Sequence, residues 1–396
     1  MDYLQQLLNN QPVEWKKLGE VAQYSKTRID ASLLNENNYV GVDNMLQNCK
    51  GKTFSEHVPT TGRFTAYAPK NILIGNIRPY LKKIWFADNE GGTNGDVLVI
   101  QTTDERVLPE YLYQVLSDDA FFSYDMQHAK GAKMPRGNKD KILDYIIPIP
   151  PLSVQSRIVE ILDKFTALEA ELEAELELRK KQYAYYREQL LNFSYTPPSE
   201  FNVVYRRLGE VCTKVCSGGT PSTSNPEYYK GNIPWLRTQD VDWKDVYDTD
   251  IKITEEAIKH SSAQWIPANC VIVAMYGATA AKACINRIPL TTNQACCNLQ
   301  VNEHIANYKY VYHWICREYE RLRALGEGSQ SNLSGKKIKD YKIPIPPLSE
   351  QARIVEILDK FDTLTNSISE GLPLEIQLRR QQYEYYREQL LAFPHP

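Results

Sequence analysis

PIPPLSVQSRIVEILDKF, residues 148–165, decides the architecture because the chain repeats it. Residues 344–361 read PIPPLSEQARIVEILDKF, identical at 16 of 18 positions. LRKKQYAYYREQLLNF (178–193) and LRRQQYEYYREQLLAF (378–393) agree at 12 of 16. The long stretches ahead of each block are far less alike. A shared framework carrying two divergent modules holds two different surfaces at a fixed distance.

The framework blocks read as helices. In IPIPP each proline fixes its own φ and restricts the residue before it, so the approach is extended. Ser153 and Ser349 then stand as N-cap candidates, with Gln155 and Gln351 close behind. Ile158, Ile161, Phe165, Leu168 and Leu172 keep three–four spacing, and Leu176, Tyr183, Tyr186 and Leu190 continue one stripe. Residues 153–193 make about 60 Å of helix at ~1.5 Å per residue. So long a helix needs a partner helix, and the second block supplies one. The blocks differ in the middle. The first has LEAE twice (168–171 and 172–175); the second reads DTLTNSISEGLPLEIQ and is four residues longer. Its Gly371-Leu-Pro373 interrupts the helix. The acidic run 169–177 is read as a solvated face.

The repeat extends beyond the helices. VEWKKLGEVA (13–22) aligns with VVYRRLGEVC (203–212), Asn71-Ile-Leu-Ile with Asn269-Cys-Val-Ile, Thr93-Asn94 with Thr292-Asn293, and Asp144-Tyr145 with Asp340-Tyr341. YLQQLLN (3–9) echoes YREQLLN (186–192), so the chain opens with the tail of a helical block and closes with a complete one. The division expected is a helical segment 1–12, a module 13–147, a helical spacer 148–193, a linker 194–202, a second module 203–343 and a second spacer 344–396. Short apolar runs at 71–77, 96–102, 270–275 and 297–301 read as strands. Residues 108–122 and 308–325 read as helical. The fold class is therefore α+β: two mixed α/β modules separated by two long antiparallel coiled-coil helices, in a pseudo-twofold circular repeat.

Composition narrows the function. The 396 residues are 42% hydrophobic and 24% charged, with net charge −3. That fits two or three globular domains, and any face for a polyanion must be local. One cysteine, Cys49, lies in the first half and seven lie between Cys212 and Cys316. Without CxxC pairs this reads as free thiols, with no metal site. The start MDYLQQLLNN lacks a secretory pattern, and the apolar run 270–281 is too short to span a bilayer, so the expected location is cytoplasmic. No nucleotide-binding loop, HExxH or GxSxG is present, so no catalytic residue is expected.

What remains is recognition surface. KGAKMPRGNKDK (130–141) is a basic, glycine-containing loop able to follow a phosphate backbone, and Lys130, Lys133, Arg136, Asn138 and Lys139 are its candidates. Its counterpart GEGSQSNLSGKKIK (326–339) offers Ser329, Gln330, Ser331 and Asn332, whose groups can bond base edges or phosphates. Further candidates in the first module are Lys26, Arg28, Lys50, Lys52, Arg78, Tyr80, Lys82 and Lys83. In the second they are the polar loop residues Ser217, Gly218, Gly219, Thr220 and Ser222, then Arg237, Gln239, Tyr276, Thr279 and Lys282.

IPIPPLSxQxRIVEILDKF followed by YYREQLL, occurring twice, resembles the specificity (S) subunit of type I restriction-modification systems. The resemblance covers nearly the whole chain and is most specific in the helical blocks. It implies that the modules are target recognition domains, each reading half of a bipartite site on double-stranded DNA. It implies that the helices are a spacer on which two modification (adenine methyltransferase) subunits dock, joined by restriction-translocase subunits. AdoMet, ATP and Mg²⁺ would be bound by those partners, which would also flip the target adenine out of the duplex. The LEAE units would then set the unspecified gap. Rival readings are a specificity subunit serving a fused restriction-methylation enzyme and a coiled-coil adaptor that binds peptides.

Overall fold

The computed structural model describes residues 3–193, 202–326, 332–367 and 369–394. The chain folds as two compact units, residues 1–173 with 375–396, and residues 174–374. The spacer helices are thus not bodies of their own, because each is divided between the units.

In the first unit, strand Glu14–Lys17 pairs antiparallel with Ile146–Ile149, so the two ends of the module are tied together. Between them lie two four-stranded sheets. One runs Ala22–Tyr24, Val97–Thr102, Ile72–Gly75, Ile84–Phe86. The other runs Arg28–Asp30, Arg63–Tyr67, Gly91–Thr93, Tyr39–Val40. Strand Ile72–Gly75 is apolar on both faces because both faces are covered. Ile72 and Ile74 enter one core with Tyr111, Leu112 and Phe121 of helices Pro109–Leu116 and Asp119–His128. Leu73 faces the other way, into a core with Trp85, Val40 and Met45. The run expected as a single helix over 108–122 breaks at Asp118, whose carboxylate caps the second helix by accepting from Ala120.

The chain's two ends meet in this unit. Leu4 and Leu8 of helix Tyr3–Leu8 share a core with Leu390 and Phe393, which is the circular arrangement expected from the echo of residues 3–9. Helix Leu152–Leu190 enters the same core through Val154, Ile158 and Leu162. Phe165 stacks on Tyr386 at 5.3 Å, while Arg380 pairs with Glu169 and Glu173. One helix therefore ascends as the other descends.

The second unit repeats the plan. Val204–Arg207 pairs with Lys342–Ile345. Strands Cys212–Ser217, Cys296–Val301, Val271–Ala274, Ala283–Asn286 and Asp245–Val246 form one sheet, and Lys252–Ile253, Ile233–Leu236, Leu290–Thr292 and Trp265–Ile266 the other. Tyr183 and Tyr186 stack on Phe361. Helices Tyr308–Arg317 and Tyr319–Ala324 stand where a single helix was expected. All eight cysteines are free thiols. Among the described residues no helix is long and apolar enough to cross a membrane.

Three further details depart from the sequence reading. The spacer helices begin at Leu152 and Leu348, so Ser153 and Ser349 lie inside the first turn and cap nothing. Gln155 and Gln351 are fully buried and bond to the module instead. Gln155 accepts from the Leu108 amide (2.9 Å) and donates to the carbonyls of Arg106 (2.7 Å) and Pro150 (2.8 Å). Gln351 accepts from Asn307 (2.8 Å) and donates to Ile305 (3.3 Å) and Pro346 (2.8 Å). Third, the alignment of Asn71 with Asn269 is out by one. Ala87 donates to the Asn71 carbonyl, and its counterpart Asn286 donates to Cys270. Lys70 and Asn269, both left-handed at φ 69° and 64°, are the true equivalents. The expected interruption of the second spacer is present: helix Leu348–Asn366 stops and Gly371–Leu391 begins.

Candidate nucleic-acid interface

In the first module three loops converge at the turn end of the hairpin formed by Ile72–Gly75 and Ile84–Phe86. The hairpin tip carries Arg78, Tyr80 and Lys82. Arg78 and Lys82 are left-handed (φ 54° and 49°) and bracket a short 3-10 turn, Pro79–Leu81. Holding non-glycine residues there costs on the order of 1 kcal/mol each, a strain characteristic of functional loops. The basic loop lies against this tip. The Arg78 amide donates to Pro135 (2.7 Å), Arg136 bridges Ile77, and Lys130 and Arg136 exchange main-chain bonds at 2.9 and 2.8 Å. The loop 46–51 closes the other side, with Asn48 donating to Leu81 and Cys49 to Lys82.

This gathers Lys50, Arg78, Tyr80, Lys82, Lys130, Lys133 and Arg136 on one rim. Arg78, Tyr80, Lys130, Lys133 and Arg136 are exposed. Lys82 is held by Asp119 at 2.7 Å, and Arg136 by Asp96 at 3.0 Å. Lys139 is exposed at the start of helix Lys139–Leu143.

Other candidates have structural work. Lys52 donates to the Asn37 carbonyl and lies 5.0 Å over Trp85, and burial lowers its pKa. Lys83 donates to the Val42 carbonyl, and burial lowers it too. Asn138 caps helix Lys139–Leu143 by accepting from Asp140 and Lys141. Lys26 and Arg28 are exposed around the edge strand Arg28–Asp30, with Arg28 bonded to Thr65 at 3.0 Å. No contact ties them to the rim among the described residues.

The second module builds the same end with different chemistry. Its hairpin tip has Gly277 and Ala281 in the two left-handed places (φ 80° and 69°). Tyr276 is exposed. Thr279 donates to the Thr238 carbonyl (2.7 Å), and Lys282 pairs with Asp242 (2.5 Å). These bonds fasten the tip to the turn bearing Arg237 and Gln239. Arg237 is gripped by Asp240 through Nε and Nη2, both at 3.2 Å. Thr220 donates to Gln294. Ser217 and Ser222 are exposed, Ser222 sharing a bond with Ser224 at 2.7 Å. Gly218 and Gly219 are buried for packing: a Cβ would lie 1.9 Å from the Thr292 carbonyl oxygen and 2.3 Å from the Ala263 nitrogen respectively. They present no surface to a ligand. Asn332 is exposed beside the tip, while Ser329, Gln330 and Ser331 lie outside the described residues.

Sequence reasoning missed three groups. Asp96 is an acid in a basic neighbourhood. Asp125 and Asn76 are buried with unpartnered side-chain oxygens. Nothing in the local pattern marks Asp125, which lies three residues beyond Phe122 in helix Asp119–His128. The described residues contain no group of three or more side chains suited to a metal.

The comparisons agree with this anatomy. The type I restriction-modification DNA specificity domain matches residues 10–178 and again 200–378. The EcoR124I/EcoR124II specificity subunit of Escherichia coli is 39% identical, covering 100% of this chain and 98% of that protein. A putative type I specificity subunit of Haemophilus influenzae is 32% identical over 99% of this chain and 98% of its own length. Among solved structures, the S subunit from M. genitalium matches 98% of this chain at TM-score 0.58 and 14% identity. The HsdS subunit from Thermoanaerobacter tengcongensis matches 96% at 0.52 and 18%, a likeness of fold. With two matched domains on a duplicated helical frame, this chain belongs to the DNA specificity subunits of type I restriction-modification systems.

Proposed function

We propose that the chain is a non-catalytic reading subunit in which each module binds one half of a bipartite duplex DNA site. The observation that carries this is the pair of hairpin tips: equivalent backbones, with unrelated side chains. A fixed frame with exchanged tips is what recognition of two different half-sites requires. The first rim is rich in Lys and Arg. Arg78, Lys130 and Lys133 have no acidic partner among the described residues, which suits phosphates, while Lys50, Lys82 and Arg136 are paired with Glu173, Asp119 and Asp96. The second offers hydroxyls, amides and one gripped guanidinium.

The frame is the dock for two copies of a modification subunit. Leu178 and Tyr185 are exposed on one spacer, and their repeats Leu378 and Tyr385 are exposed on the other. Positions seven apart share a helix face. Large apolar side chains left in water at matching places in both repeats fit two identical partners. AdoMet, ATP and Mg²⁺ belong to the partner subunits in this reading.

The test is methylome sequencing of a host expressing this chain with a modification subunit from its own system, against a host with the modification subunit alone. A bipartite adenine motif appearing only with both chains supports the reading. No such motif from a soluble, assembled pair sinks it.

A further inference from the structure

Base readout and phosphate contact make opposite demands on a side chain. A phosphate accepts a mobile charge, whereas a base edge needs donors held in place. On the first rim, Arg78, Lys130 and Lys133 have no side-chain partner among the described residues. Arg136 differs. Its main chain is locked to Lys130 on both sides of the bridge and to Ile77. Its Nη1 forms an ion pair with Asp96 Oδ1 at 3.0 Å. Asp96 is itself set, its amide donating to Asn94 Oδ1 (3.0 Å) and its carbonyl accepting from the Asn76 amide (2.8 Å). The Nε and Nη2 groups of Arg136 have no protein partner among the described residues, and its side chain is 57% exposed. So exposed an ion pair adds little stability.

The second module provides an internal control. Its Leu333 amide donates to Met275 (2.8 Å), as Gly137 donates to Asn76 (3.1 Å), so Asn332 stands in the place of Arg136. Its Met275 amide donates to Ala295 (2.8 Å), as Asn76 donates to Asp96, so Ala295 stands in the place of Asp96. Both members of the pair are exchanged together while the backbone bonds remain. The pair is one device, and it belongs to the tip, not to the frame.

We infer that Arg136 reads a guanine in the half-site of the first module and that Asp96 is its positioning residue. A guanidinium paired with a carboxylate at one corner, with further N–H groups free, matches the O6 and N7 acceptors that only guanine presents together in the major groove. The inference rests on the reading that the module binds duplex DNA.

The experiment maps the methylated motif for the wild-type chain, Arg136→Gln, Arg136→Lys, Asp96→Asn and Lys133→Ala, each assembled with the modification subunit. Binding of the purified complexes is titrated against salt. Arg136→Gln is expected to relax one guanine position in one half-site, with discrimination there falling about 5- to 150-fold. The gap and the other half-site stay unchanged. Arg136→Lys keeps charge but loses the fork, so it relaxes the same position. Asp96→Asn weakens that position alone, and Lys133→Ala lowers binding to all sequences and shallows the salt slope by about one. Independently of any variant, 7-deazaguanine at that position should weaken the wild-type complex.

An unchanged motif in Arg136→Gln, or a uniform loss with a shallower salt slope, overturns the inference and makes Arg136 a phosphate contact. Wild-type indifference to 7-deazaguanine at every guanine of the site overturns it too. Absence of any bipartite motif from the wild-type assembly would instead overturn the underlying reading.

Discussion

The main-chain amide of Gly137 donates to the carbonyl of Asn76, and beneath that bond lies a carboxylate with no donor. Asp125 is 1% exposed, and both its oxygens, like the Asn76 side-chain oxygen, lack a partner. A Cβ on Gly137 would sit 2.5 Å from Asp125 Oδ1 and 2.7 Å from Asn76 Oδ1. The second module fills the same place with buried Met275 and Leu333. Three crowded acceptors with no donor favour the protonated form of the carboxyl. Burial pushes Asp125 up to about 6, with His128 opposing.

A pH dependence follows from this site. The folded-state value lies above the ordinary 3.8, so between the two the folded chain holds a proton that the unfolded chain has released. Stability of the first unit therefore falls as pH rises from about 4 to about 6, and the loss is complete above that. Asp125→Asn removes the ionisation and supplies donors. It should flatten this slope and stabilise the unit at pH 7.5 by about 1–2 kcal/mol. Urea unfolding at several pH values between 4.5 and 7.5 decides it; a variant with the wild-type slope rules out Asp125 as its source.

How much of this was legible in the sequence depends on scale. The repeat, the circular closure and the interrupted second spacer were legible because prolines, apolar spacing and a Gly-Leu-Pro leave strong local marks. Gln155 looked like an accessory to a cap, since nothing local says that its amide reaches Arg106, 49 positions away. Lys83 and Asn138 looked like ligands for DNA because a lysine that meets a buried carbonyl and one that meets water are written identically. Asp96 could not be chosen, because its meaning comes from a bridge to Arg136 that only the folded tip creates.

Gln155 and Gln351 give a prediction about stability. Each satisfies three main-chain groups where module meets helix. Replacement by leucine keeps most of the volume and strands those groups, at a cost of about 2–4 kcal/mol. Hydrogen exchange locates the damage. Gln155→Leu should speed exchange across 106–116 and leave 305–316 alone, and Gln351→Leu should do the reverse. Equal protection in both variants would show that these bonds do not hold modules to helices.

Gly371 is a joint that cannot take a side chain. Its φ is +77°, and a Cβ would lie 2.5 Å from the Thr363 carbonyl oxygen and 2.8 Å from that of Leu364. Both obstacles are main chain and cannot swing away. Gly371→Ala should lower stability by about 1–3 kcal/mol, while Ser369→Ala nearby should change little. Thermal unfolding of the two variants side by side is enough, and an unaffected Gly371→Ala would mean that the two helices fuse without penalty.

The LEAE units make the spacing between half-sites adjustable. Deleting residues 172–175 removes about 6 Å of helix, against ~3.4 Å per base pair. The repeat makes the cut tolerable, since Leu176 takes the place of buried Leu172, and Glu177 takes that of Glu173 beside Arg380. The first unit should therefore fold as before. The methylated motif of the deletion variant should keep both half-sites and shorten the gap between them by one or two base pairs. A motif with its original spacing would show that the helix length does not set the gap, and loss of one half-site alone would place the effect in a module.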